Sequence, residues 1–381
     1  MFDFNTIIDR KNTTSKKWGF LEKDLIPMSV ADMDLKTSPA IIEAINTQIK
    51  QGVLGYVMPK EDYYDAVINW MEKHHDLNIE KQWICTAPAI VPALNWIIQS
   101  FTEKGDKILI QPPVYHRFKS CIEINEREVV TNPLKFVNER YVMDFEDLEN
   151  KIDDKVKLMI LCSPHNPVGR VWTKEELTKL SDICKRHNIL VVADEIHSDL
   201  VLRGNKHTSF LNISKDLKDN CILCTAPTKT FNIAGVQVSN AIIPNDDLRS
   251  KYLNTVERNG MGDLNIFAIP ALIAAYNESE NWYEEMLDYI EGNFDFLYEY
   301  IEKKLPQLKV TKAEGTYLAW VDFRGLNLQG EKLKEFMVNK ARVIFNEGSS
   351  FGEEGEGFYR INLACSRHII KEALDRIYEC I

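Results

Sequence analysis

The chain has 381 residues, 45% of them hydrophobic, which is more than a single core usually organises, so two domains are expected. A net charge of −11 without any long Lys/Arg run argues against nucleic-acid binding. The longest apolar stretch, residues 266–276, contains Pro270 and is too short for a helical membrane span.

In chain order, the first residues carry no basic segment followed by an apolar run, so no signal peptide is expected. Eight cysteines scattered over the chain then fit reduced thiols and a cytoplasmic location. Ser38-Pro39 followed by Ile41, Ile42, Ile45 and Ile49, with Gly52 beyond, predicts a helix capped by the serine hydroxyl. His74 and His75 are adjacent rather than three or four apart, so a helix does not aim both at one metal.

The middle of the chain alternates apolar runs with helical patterns. Residues 107–111, 156–162, 189–193 and 221–224 read as buried strands. Between the second and third, Thr173-Lys-Glu-Glu176 forms a capping box, followed by Leu177, Leu180, Ile183 and Cys184 on one face. Strand, helix, strand in that order predicts right-handed crossovers and a mainly parallel α/β sheet. Cys221 and Cys224 have CxxC spacing but lie within a strand run and lack a second pair, so they are expected to be core thiols. From Trp282 onward a long amphipathic helix, a few strands and a last helix predict a smaller α+β unit. The expected division is residues 1–48 packing with that unit, 49–280 as the large domain and 281–381 as the small one.

Ligands of parallel sheets sit beyond the carboxyl ends of the strands. Polar residues fall there after every run: Tyr115, then Ser163-Pro-His-Asn166, then Asp194-Glu195, then Thr228-Lys229. Singly each has an ordinary reading. Lys229 fits a solvated loop, Asp194 a helix cap, Asn166 a turn before Pro167, Tyr115 a core position, and Arg360 a surface ion pair. Together they suit a different task. A desolvated lysine amine forms an imine with an aldehyde, and a carboxylate facing a pyridine nitrogen keeps that nitrogen protonated.

Ser163-Pro-His-Asn-Pro-Val-Gly-Arg170, Ala193-Asp-Glu-Ile-His-Ser198 and Ala226-Pro-Thr-Lys-Thr-Phe-Asn-Ile-Ala-Gly235 resemble the ordered motifs of class I/II aminotransferases. The resemblance implies the fold type I architecture of enzymes that use pyridoxal 5′-phosphate (PLP). That architecture has a large domain with a mainly parallel seven-stranded sheet covered by helices on both faces, and a smaller α+β domain. It implies that Lys229 carries the cofactor as an imine, Asp194 pairs with the pyridine nitrogen and Asn166 binds the ring hydroxyl. By the same matching Tyr115 stacks on the ring, and Arg360 in Tyr359-Arg-Ile-Asn362 grips the substrate α-carboxylate, to which its planar fork is suited. Asn166 and Tyr115 also face the substrate.

Ala89, Ile90 and Val91, at the start of a helix, are matched to the phosphate, although the family usually carries glycine at the position of Ala89, and Thr228 is counted among the cofactor-binding residues. His197 lies near a ring-hydroxyl position, with a structural histidine as the alternative. Tyr56 in Leu54-Gly-Tyr56 resembles a tyrosine that reaches the phosphate of a neighbouring subunit, which implies a homodimer with shared active sites.

Pro27-Met-Ser-Val-Ala-Asp-Met-Asp34, with Ala31 against the substrate, looks like the N-terminal signature of cystathionine β-lyases of the MalY/PatB type. Residues 194–199, Gly315-Thr-Tyr-Leu-Ala-Trp320 and Asn362-Leu-Ala-Cys365 match that group too. Gln237 stands where many aminotransferases place a phosphate-binding arginine. The implied reaction is α,β-elimination from a cysteine thioether such as L-cystathionine, with Lys229 as the base at Cα. Transamination on the same cofactor stays open, as does a regulatory protein partner, which the resemblance also allows. Gly352-Glu-Glu-Gly-Glu-Gly357 matches neither a dinucleotide fingerprint nor a calcium loop and is expected to be an acidic loop near the active site.

Overall fold

The structure, a computed structural model, describes every residue except Met1, Phe20 and Lys23. Its centre is a seven-stranded sheet in the spatial order Ile84–Ala87, Ser239–Ile242, Cys221–Thr225, Leu190–Asp194, Val156–Cys162, Lys107–Ile110, Glu128–Thr131. Ser239–Ile242 runs antiparallel to both its neighbours; the remaining pairings are parallel.

Both faces of the sheet are covered, which is why the central strands read as continuous apolar runs. Along Val156–Cys162 the side chains of Leu158, Ile160 and Cys162 join one core cluster, while Met159 and Leu161 join the other. Helices Ile90–Phe101, Arg117–Ile124 and Asp246–Asn259 close the first face; Lys174–Arg186 closes the second with Leu177, Leu180, Ile183 and Cys184. That last helix opens with the expected capping box, Thr173 accepting from the Glu176 amide and Glu176 from the Thr173 amide.

Cys221 and Cys224 are three apart on a strand, so they point to opposite faces and enter different core clusters. Each thiol is fully buried, and burial raises both pKa values well above the ordinary range.

A second sheet of four antiparallel strands follows the order Lys309–Val310, Leu318–Asp322, Phe358–Asn362, Asn346–Glu347. The long helix Glu280–Lys304 and the last helix Arg367–Glu379 accompany it. Near the N-terminus, Ile26–Pro27 pairs in parallel with Val343–Ile344.

The helix Pro39–Lys50 forms as expected, with Gly52 in the left-handed region at φ 72° just past its end, but Ser38 does not cap it. The Ser38 hydroxyl instead accepts a 2.8 Å hydrogen bond from Ser279, which is also buried. No helix among the described residues is long and apolar enough to cross a membrane. Nor is any group of three or more His, Cys, Asp or Glu side chains among them placed to hold a metal ion.

Candidate active site

Four of the sheet's strands deliver polar groups to one cavity of about 680 Å³. Asp194 is the last residue of its strand. Asn166 follows Val156–Cys162 by four residues, and Lys229 sits in the short helix Pro227–Thr230 just after Cys221–Thr225. Tyr115 enters from the turn after Lys107–Ile110, and Arg360 from the middle of Phe358–Asn362 in the second sheet. Ala31 and His197 complete the set of predicted residues that line this cavity.

The Lys229 ammonium donates to the Ala31 carbonyl at 2.7 Å, and the Tyr317 hydroxyl donates to the same oxygen at 2.9 Å. Burial, reinforced by the charge of Arg360, brings the Lys229 pKa down to about 8, against the opposing pull of Asp32 and Asp194. Asp194 is buried, and among the described residues its carboxylate accepts only a long bond, 3.4 Å, from the Ile196 amide. Burial raises its pKa to about 7, outweighing that bond and the charge of Lys229. A lysine close to neutrality and an aspartate close to protonation thus share one cavity.

Arg360 is held as a fork. Nη1 donates to Asn166 Oδ1 at 3.0 Å, and Nη2 donates to the Ser29 carbonyl at 2.8 Å and to Asn346 Oδ1 at 2.6 Å. Its guanidinium lies 4.9 Å from the centre of the Phe351 ring, and its Nε is buried without a partner among the described residues. Burial lowers its pKa to about 10, so it stays charged at neutral pH. His197 packs edge-on against Tyr317 with centroids 6.0 Å apart. Burial, then the charges of Lys229 and Arg360, push its pKa to about 3, so it is a neutral imidazole. Tyr115 is raised in pKa, chiefly by burial and next by Asp194.

Other predicted residues lie outside this lining. Ala89 is the extended residue before helix Ile90–Phe101, Ile90 is buried, and Val91 packs half-buried against the core. The first amides of that helix have no intrahelical acceptor. Thr228 is half-buried next to Lys229, Gln237 is exposed, and Tyr56 is fully exposed.

Several supporting residues carried no separate signal in the sequence. Asn362 Nδ2 donates to the carbonyls of Val30 (2.7 Å) and Asp32 (2.6 Å), and Asn232 exchanges hydrogen bonds with Met33 and bonds Leu35, so residues 30–35 are strapped beside Lys229. Asp199 is buried and accepts from Thr230 Oγ1 (2.6 Å), His75 Nε2 (2.7 Å) and Trp70 Nε1 (3.0 Å). Burial works to raise its pKa, but those bonds hold it below the usual carboxylate value. Asn232, Asn362 and Asp199 all fall inside the quoted motifs, which was the available clue; what they bind was not visible there.

The model for aminotransferase class I and II matches residues 23–377 of the chain. The chain is 42% identical to cystathionine beta-lyase PatB of Bacillus subtilis, over 98% of each protein. Among solved structures it superposes with a TM-score of 0.97 on a PLP-bound protein from Clostridium difficile 630, provisionally described as an aminotransferase. The two are 45% identical, with complete coverage of both chains. Cystalysin from Treponema denticola, which contains PLP, matches with a TM-score of 0.96 and 38% identity, over 100% of this chain and 98% of that one. The chain belongs to the class I and II aminotransferase family.

Proposed function

We propose that this protein is a PLP-dependent carbon–sulfur β-lyase. It cleaves L-cystathionine or a related cysteine thioether, with water, to thiol, pyruvate and ammonia. The observation that carries this reading is Lys229: a half-buried amine whose desolvation brings its pKa to about 8, in one cavity with Asp194 and Arg360. The identity of the reaction at Cβ is supported by the full-length likeness to the cystathionine beta-lyase of B. subtilis.

The residues present fit the cofactor on three counts. Lys229 offers an amine with little cost to its neutral form, as attachment to an aldehyde requires. Asp194, buried with one long hydrogen bond, has capacity left for a cationic N–H donor, which a protonated pyridine nitrogen provides. Asn166 and Tyr115 line the same cavity for the ring hydroxyl and ring face, and the free amides at the start of Ile90–Phe101 suit the phosphate. Bound PLP supplies an electron sink for the charge left at the substrate's Cα.

The chain's own groups do the rest. Arg360 receives the α-carboxylate; its two Nη groups are already engaged by Asn166, Ser29 and Asn346, so the guanidinium is fixed before substrate arrives, and Nε remains as an unspent donor. Lys229, whose amine rests on the Ala31 carbonyl, takes the Cα proton. The C–S bond then breaks with its electron pair on sulfur, the thiolate leaves, and the three-carbon remainder is hydrolysed to pyruvate and ammonia. His197, neutral at physiological pH, adds a polar wall without a competing charge.

A homodimer belongs to the same proposal. Tyr56 is fully exposed, and Val53, Leu54 and Met58 beside it are 73%, 63% and 80% exposed, an apolar stretch suited to burial against a second copy.

The second reading, transamination, has the resemblance to the C. difficile protein in its favour. The two separate on their need for a keto acid. Steady release of thiol from a cysteine thioether with no keto acid added is the expected result. Turnover that stops after one equivalent and resumes only with a keto acid would replace the lyase reading with an aminotransferase.

A further inference from the structure

The cavity that holds Lys229 and Arg360 is also lined by Lys16 and Arg117, both exposed at its mouth. Among the described residues neither side chain makes an ion pair or a hydrogen bond. This is unusual in a protein of charge −11, where carboxylates outnumber basic residues by 57 to 46 and so are not in short supply. His116 lines the same cavity. Burial lowers its pKa first, and then the charges of Arg360, Arg117 and Lys16 act in the same direction, so the imidazole feels all three cations. Two carboxylates share the cavity. Asp32 is engaged by Arg10 at 2.8 Å and Lys17 at 3.7 Å, and Asp194 lies at the sheet end with its pKa raised to about 7. Lys16 and Arg117 thus face the cavity as a cationic pair with no carboxylate bound to either among the described residues, although Glu353 and Glu354 line the neighbouring pocket that shares Tyr115 and His116.

The amino-acid head of a substrate does not need this rim. Its α-carboxylate belongs with Arg360, which is buried and already oriented. With the α-carboxylate on Arg360 and the amine at Lys229, the group attached to sulfur is left to face the rest of the lining, which includes Tyr115, Arg117 and Lys16. We propose that Lys16 and Arg117 form a subsite for an anionic group at the far end of the leaving thiolate, so that favoured substrates are cysteine thioethers whose sulfur substituent bears a carboxylate. The proposal rests on the lyase reading and names its substrate class. An anion at this rim has a second source, the cofactor phosphate, and the experiment separates the two.

The test compares kcat/KM of the PLP-loaded enzyme for S-carboxyethyl-L-cysteine and its uncharged isostere S-carbamoylethyl-L-cysteine, in the wild type, Lys16→Gln, Arg117→Gln and the double variant. The wild type is expected to favour the carboxylate about tenfold, which corresponds to about 1.4 kcal/mol. Each single variant reduces that ratio, and the double variant brings it close to one, mainly through the carboxylate substrate. Because the rim is exposed, added salt should also shrink the wild-type ratio, which a merely structural role would not do. An unchanged ratio in the double variant overturns the proposal. So does an equal loss on both substrates accompanied by weaker cofactor retention, which would assign the pair to the phosphate. Absence of thiol release from either substrate by the wild type is a different result and removes the lyase reading itself.

Discussion

Replacing Asp194 with asparagine separates the stability of the cofactor-free protein from its chemistry. In the folded chain Asp194 titrates near 7 because burial penalises its charge; the ordinary value is 3.8. An acid with a raised pKa works against folding as pH rises, since above 3.8 the unfolded chain releases a proton that the folded chain keeps. At about 1.4 kcal/mol per pH unit, the cost is about 2 kcal/mol at pH 5 and reaches about 4 kcal/mol once pH passes 7. Asparagine keeps an acceptor for the Ile196 amide and carries no charge, so the variant escapes the cost. With an unfolding entropy of roughly 2 cal/mol/K per residue, 4 kcal/mol corresponds to a melting shift of about 5 °C for a chain of 381 residues. Thermal melts of cofactor-free wild type and Asp194→Asn at pH 5 and pH 8 should show the variant more stable at both, with the wider gap at pH 8. The same variant, loaded with PLP, should lose most of its lyase activity. A variant that melts below the wild type at pH 8, or a gap that does not grow with pH, would refute the burial argument.

Three further substitutions probe the rest of the site. Lys229→Ala should leave the fold intact by circular dichroism while removing both turnover and the yellow absorbance of attached cofactor; wild-type thiol release in this variant would assign the base elsewhere. Arg360→Lys keeps the charge but loses the fork that joins Asn166, Ser29 and Asn346, so kcat/KM should fall roughly 10- to 100-fold, the equivalent of a lost hydrogen bond to a charged group. Thr230→Val removes one donor to the buried Asp199 carboxylate, costing about 1.5–3 kcal/mol of stability in denaturant titration. It should also lower kcat more than it raises KM, because Thr230 adjoins Lys229; parallel changes in both would limit the bond to folding.

The sequence made the sheet and the reacting groups legible because both are local signals. Apolar runs bounded by turn residues marked Val156–Cys162 and Leu190–Asp194 nearly to the residue, and the capping box placed helix Lys174–Arg186. Topology then put Asn166, Asp194 and Lys229 at one edge. What escaped notice depends on contacts between distant segments. The Ala31 carbonyl that holds Lys229 lies 198 residues away, and Trp70 and His75 reach Asp199 across 129 and 124 residues. No periodicity encodes such pairs. Ser38 shows the same limit from the other side: its position before Pro39 has the form of a cap, yet Ser279, 241 residues on, takes the hydroxyl instead. The pKa values near 7 and 8 at Asp194 and Lys229 also follow from burial that only the assembled core supplies.

The most direct test of carbon–sulfur β-elimination at this cavity is to incubate the PLP-loaded protein with L-cystathionine alone and to quantify homocysteine, pyruvate and ammonia in parallel. The account predicts the three products in equal amounts, continuing over many turnovers without any keto acid. Formation of a keto acid that retains the sulfur, with no pyruvate and no free thiol, would contradict it.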